Sequence, residues 1–154
     1  MNLRNAELTR RETLTFAAIA GLAAVLAPRM SFADEKAVAA EISKLYGDKK
    51  MDSGKIKLDV PEIAENGLVV PINIEIDSPM TDADYVKAVH VFADGNPLPG
   101  VVTYRFTPAC GKASASTRMR LAQTQNIVCV AEMSNGALYT AKSNVKVTIG
   151  GCGG

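Results

Sequence analysis

The sequence has no tryptophan, one histidine and only 5% aromatic residues. A stacking platform for bases or sugars therefore has little material to be built from. A lone histidine, His90, cannot make a histidine metal site, and no second histidine is present to activate a serine or threonine. Its place in the alternating "VKAVHVF" reads as a sheet residue whose ring is hydrogen-bonded or solvated. There is no HExxH, no CxxC and no glycine-rich loop between a strand and a helix. Charge of one sign is also missing, since 17 basic against 16 acidic residues leave +1. Nucleic acid and anionic membrane surfaces both demand a basic footprint, so a protein or small-molecule partner is expected. Cysteines number three, and in an exported protein an odd count leaves one thiol free or paired with another molecule. A length of 154 residues describes one compact domain.

No apolar run reaches the roughly twenty residues of a membrane-spanning helix. The stretch Leu14 to Ala27 is shorter and is closed by Pro28 and Arg29, with basic residues before it and the small-residue end Ser31-Phe32-Ala33 after it. This pattern reads as a cleaved export signal over residues 1–33. Arg10-Arg11 after Thr9 resembles a twin-arginine signal, although Thr13 stands where that pattern prefers Phe. The other reading is an ordinary secretory signal with an accidental Arg pair, and both place the protein outside the cytoplasm. The remainder is close to neutral.

Beyond the cut, Val38, Ile42, Leu45 and Tyr46 form a stripe at helical spacing, with Asp34 and Glu35 in the first turn and Gly47 as the stop. The stripe is either a partner-docking face or, more commonly, the side packed on its own domain. Gly47 to Gly54 reads as a polar loop. From Ile56 the period becomes two. "KIKLDV", "LVVPINIEI", "VKAVHVF", "VVTYRFT", "STRMRLA", "NIVCVAEM" and "NVKVTI" are about seven short strands, each bounded by turn residues. With no helical pattern between them they predict an all-β, antiparallel sandwich over 34–149 with one short N-terminal helix. Pro71 cannot donate to a ladder, which predicts an edge or bulged strand there. "MSNGA" predicts a hairpin around Asn135-Gly136, and "TDADY" a turn built on its aspartates.

The last five residues, Gly150-Gly151-Cys152-Gly153-Gly154, carry a thiol on a chain with no side chain able to pack. Glycine is conformationally free and thin, so such an arm can enter a narrow channel. Fully extended, five residues reach roughly 15 Å. A free thiol in an oxidising compartment invites unwanted disulfides unless its reactivity is used, which sets a carrier role above an accidental cysteine.

Taken together, "DSPMTDADYVKAVHVFADGNPLPGV", "FTPACGKASASTRMRLAQTQNIVCVAEMSNG" and "VKVTIGGCGG" resemble the SoxY family, the sulfur-carrier subunits of the periplasmic thiosulfate-oxidising Sox system. The resemblance implies an immunoglobulin-like sandwich with no catalysis or cofactor of its own. Cys152 would hold sulfur covalently, as an S-thiosulfonate and then a persulfide. Partners implied are a SoxZ-like subunit, the c-type cytochrome SoxXA, the SoxB hydrolase and a sulfane dehydrogenase. Cys110 and Cys129 depart from relatives that have only the terminal cysteine. A disulfide between them would leave Cys152 as the only free thiol, with neighbouring strands bringing Cys110, beyond "VVTYRF", to Cys129 in mid-strand; the other reading is two buried apolar thiols. Against the carrier stands an exported binding module whose Cys152 makes a permanent interchain disulfide.

Overall fold

A computed structural model describes residues 33–150. The expected signal peptide up to Phe32, and Gly151, Cys152, Gly153 and Gly154 of the arm, lie outside the described residues.

Helix α1 (Glu35–Tyr46) begins where the Asp34 carboxylate accepts from the Ala37 N–H at 2.8 Å, filling an orphan donor of the first turn. It stops at Gly47, whose φ of 65° suits glycine and whose N–H donates to the Ser43 carbonyl. Nine strands follow: β1 (Met51–Asp52), β2 (Ile56–Asp59), β3 (Ile63–Ala64), β4 (Val70–Ile76), β5 (Val86–Ala93), β6 (Gly100–Arg105), β7 (Ala113–Met119), β8 (Gln125–Met133) and β9 (Leu138–Val147). They form two sheets, one in the order β1-β9-β8-β5-β6 with β3 also on β9, the other β2-β4-β7. The described residues adopt the expected all-β sandwich with one N-terminal helix.

The core lies between the sheets. Alternate residues of β4 (Val70, Ile72, Ile74, Ile76) are buried against Val89 and Val91 of β5, Ile127, Cys129 and Ala131 of β8, and Val145 of β9. Each such aliphatic side chain contributes about 1.5–3 kcal/mol by leaving water. The middle of strand β8 is packed on both faces, because α1 covers Val128 and Val130 on its other side. Val38 and Ile42 pack on Phe92 and Val130, with Tyr46, Met51 and Val128 at the margin. The helical stripe is therefore satisfied within its own domain, although Leu45 stays half exposed.

Several expectations are corrected by the strand order. The polar loop 47–54 contains β1, which pairs in parallel with Leu138 and Tyr139. β3 is likewise parallel, to Lys146 and Val147, so the sandwich is not wholly antiparallel. β4 is the central strand of its sheet rather than an edge. Pro71 is tolerated because β2 pairs only Asn73 to Ile76, leaving Pro71 laddered on one side, opposite Arg118. β7 starts and ends three residues earlier than "STRMRLA", and β9 runs from Leu138 but stops at Val147, short of Ile149.

The turns follow their residues. Between β8 and β9, Gly136 takes φ 82° and its N–H donates to the Met133 carbonyl, while Asn135 Oδ1 accepts from Ala137 N–H. In "TDADY" the Thr81 N–H donates to the Asp84 carbonyl and Thr81 Oγ1 accepts from the Asp84 N–H, closing the turn around Thr81 rather than around an aspartate side chain.

Candidate functional site

The described chain reaches Gly150, so what the structure shows of the arm is its root. Four backbone segments fix it. On one side the Lys146 N–H donates to the Glu62 carbonyl, the Thr148 N–H to the Ala64 carbonyl, and the Gly67 N–H to the Ile149 carbonyl at 2.7 Å. Thr148 Oγ1 adds a bond to the Glu65 carbonyl at 2.8 Å. On the other side Thr124 Oγ1 accepts from the Val147 N–H at 3.0 Å and lies 3.3 Å from the Val147 carbonyl. The Gly67 carbonyl in turn accepts from Leu121 N–H, closing the ring. Each such bond is worth about 0.5–1.5 kcal/mol net, and together they hold the chain up to Ile149.

Gly150 is required here for a reason the sequence did not reveal. A Cβ on it would lie 2.2 Å from the Ala122 carbonyl oxygen, a backbone atom that cannot rotate away. Ala122 is itself held, since its N–H donates to Asn96 Oδ1 at 3.0 Å. Asn96 also accepts from Gln125 Nε2 and donates to the Arg120 carbonyl, and buried Gln125 accepts from Gly95 N–H at 2.7 Å. Gly150 thus marks a close approach of two backbones, not only a flexible joint. Thr124, Thr148, Gly67 and Ala122 escaped the reading of the sequence. The Gly in "AENGL" is the signal that could have found them, because a two-residue strand such as β3 has no period to detect.

The other two cysteines are not joined. Cys110 and Cys129 are both free thiols. Cys129 faces the inter-sheet core with no exposed surface, while Cys110 sits in an exposed 3-10 turn, Pro108–Cys110. The expected bridge assumed adjacent strands, yet β5 lies between β8 and β6. Two strand spacings are about 10 Å, beyond disulfide reach. Register widens the gap, because Val91 opposes both Cys129 and Val102, and Cys110 lies eight residues past Val102. Burial pushes the Cys129 thiol up to about 12, so it is neutral and inert as a nucleophile.

His90 lies under α1 on the outer face of the larger sheet. Its Nδ1 shares a hydrogen bond with Thr103 Oγ1 at 2.9 Å, and its ring meets Tyr46 edge-on with centroids 5.8 Å apart. Burial, then the nearby Arg105 charge, holds it below the ordinary imidazole value. Tyr46 donates to Glu132 Oε2, and Glu132 Oε1 is paired with Lys87 at 2.7 Å. Burial and Glu132 push the Tyr46 phenol up to about 12. This cluster fastens the helix. Among the described residues no group of three or more His, Cys, Asp or Glu is placed to hold a metal ion, and no helix is long and apolar enough to cross a membrane.

Comparison with known proteins points the same way as the arm. Residues 42–152 match the family model described as sulfur oxidation protein SoxY. The sulfur carrier protein SoxY from Chlorobium limicola f thiosulfatophilum is similar in structure, with 32% identity over 74% of this chain and 98% of that one and a TM-score of 0.62. A superoxide reductase (neelaredoxin) from Ignicoccus hospitalis shares the fold alone, at 15% identity, 77% and 95% coverage and a TM-score of 0.55. Among curated proteins none matches this chain.

Two outcomes follow from the geometry. Gly150→Ala should destabilise the fold by about 1–3 kcal/mol in urea titration, the usual cost of overpacking, whereas Gly151→Ala should leave the midpoint unchanged. Equal midpoints would show that the close approach at Ala122 does not constrain the chain. Without reductant, iodoacetamide should modify Cys110 in the native protein and Cys129 only after unfolding; two thiols that resist until reduced would restore the bridge.

Proposed function

The chain belongs to the SoxY family, whose members carry sulfur in sulfur oxidation and are not catalysts, and from that premise we propose that Cys152 is where the sulfur is held. The observation that carries this reading is the pinned root. The family match runs through Cys152, and the fold fixes the backbone as far as Ile149 and Gly150, so the thiol lies two residues past a fixed point. The core cysteine is unavailable, because Cys129 is buried and neutral.

The chemistry asked of Cys152 is group transfer on sulfur. Its thiolate and thiosulfate dianion join through a new S–S bond, forming the S-thiosulfonate and releasing two electrons to a c-type cytochrome of the SoxXA kind. Water then attacks the terminal sulfonate sulfur in a hydrolase of the SoxB kind. Sulfate and two protons leave, and a persulfide anion remains on Cys152. That sulfane sulfur is oxidised by a sulfane dehydrogenase or passed on. At each stage this chain supplies the nucleophilic sulfur and a slender glycine approach to it, while the partners supply the oxidant and the water-activating groups. Pairing with a SoxZ-like subunit, and residence in the periplasm after export through Arg10-Arg11, complete the proposal. Periplasmic residence agrees with chemistry that needs a c-type cytochrome as electron acceptor.

Incubated with thiosulfate and the cytochrome, the wild-type chain should gain the S-thiosulfonate mass, and Cys152→Ser should gain none while keeping its urea midpoint and its SoxZ-like partner. An unchanged adduct on the serine variant would move the sulfur to Cys110. One fixed covalent partner on Cys152 in protein from its source would favour the binding module instead. For export, Arg10→Lys with Arg11→Lys should leave unprocessed protein in the cytoplasmic fraction, and normal processing of that double variant would refute the twin-arginine route.

A further inference from the structure

Six large apolar side chains are well exposed among the described residues, and four of them lie on the two segments that are bonded together at the arm root. Ile63 (58% exposed) sits opposite Lys146 in the β3–β9 pair, Leu68 (46%) and Val69 (57%) follow Gly67, and Ile149 (68%) is bonded to Gly67 through its carbonyl. Single exposed apolar residues need no explanation, but a cluster marks an interaction surface. None of these four is needed by the core, whose neighbours Ala64, Gly67 and Val70 supply the buried positions along the same segment.

The length of chain between the root and the thiol says what covers this ledge. From Gly150 to Cys152 is two residues, at most about 7 Å between Cα atoms when extended, and the side chain adds less than one residue more. Cys152 is the third residue of the arm and Gly150 is seated against the Ala122 carbonyl, so the full five-residue reach of about 15 Å is not available to the sulfur. An enzyme that receives Cys152 in a recessed site must therefore bring the rim of that site against the surface around Gly150. The exposed apolar side chains of the segments bonded there are Ile63, Leu68, Val69 and Ile149, bordered by exposed Glu62, Glu65, Asn66 and Lys146. We infer that this ledge is the docking surface for the enzyme that conjugates thiosulfate to Cys152, which should present an apolar rim around a channel admitting only glycine-sized backbone; the inference rests on Cys152 being the sulfur-bearing residue.

The test uses the full chain paired with its SoxZ-like subunit and carries Leu68→Glu with Val69→Glu, both at exposed positions. Adduct formation on Cys152 with thiosulfate and the cytochrome is followed by intact mass, with the carrier as the varied substrate. The expected result is a rise in KM of about tenfold or more with kcat little changed, since a desolvated apolar contact has been replaced by charge. The rate of Cys152 alkylation by iodoacetamide, read on its own peptide, should stay at the wild-type value. Leu45→Glu serves as the control, beside Tyr46 and towards the far end of β8, and should load normally. Ile63→Lys provides a second reading should the double variant lower the urea midpoint. Wild-type KM in both ledge variants would overturn the docking surface while leaving the carrier reading intact. Loss of pairing with the SoxZ-like subunit would assign the ledge to that subunit, and altered self-association would assign it to a second copy, each overturning the proposal. A wild-type complex that takes up no sulfur on Cys152 would sink both readings together.

Discussion

The middle of strand β8 is packed on both faces, and the rest of the molecule is arranged around that constraint. Its odd-numbered residues Ile127, Cys129 and Ala131 belong to the inter-sheet core, and its even-numbered Val128 and Val130 belong to the contact with α1. The outward face carries polar Asn126 and Glu132 towards its ends but apolar Val128 and Val130 at its middle, and that apolar middle is what α1 covers. The same parity sends Cys129 inwards and makes its thiol inert. Eight consecutive pairs then transmit β8's placement to β9, from Gln125 opposite Val145 to Glu132 opposite Leu138.

The arm root inherits its position from β9. Val145 is in the core and Val147 packs partly buried against it; from there to Ile149 the chain is held by backbone groups of the segment Glu62 to Gly67 and by the Thr124 hydroxyl. These loops are tied to β5 through the Asn96–Gln125–Gly95 contacts, so the root is braced by both sheets' connections rather than trailing from one strand end. A carrier works by changing what is attached to one atom while its body stays the same. With the sulfur on Cys152 as proposed, the variable part is confined to the residues after Gly150, which serves that separation.

Most of the fold was legible because it is periodic. The alternation in "PINIEI" and "NIVCVAEM" marks strands whose faces differ, Asn135-Gly136 requires left-handed geometry at the glycine, and Asp34 with Gly47 bracket a helix. The unread parts share one physical character, in that they depend on strand order. Whether Pro71 lies at an edge depends on how far β2 extends alongside it. Whether Cys110 can meet Cys129 depends on what lies between β6 and β8. Neither follows from local spacing. β1 and β3 are two residues each, too short to show alternation, yet both line the outer edge of β9. The glycine-flanked thiol stood out in the sequence because nothing there can pack, but composition alone could not separate the clamped Gly150 from its neighbours.

The side-chain alternation of β9 has a mechanical meaning for cargo delivery. Val145 is buried while Lys146 faces out, so the direction in which the chain departs is indexed to the count of residues back to Leu138. Adding or removing a single residue within that strand would rotate everything beyond it by half a turn, exchanging inward for outward positions. The strand therefore acts as a gauge: its length in residues, rather than any one side chain, determines which side of the protein the segment after Val147 leaves from, and with it, on the proposed role of Cys152, the side from which sulfur is offered.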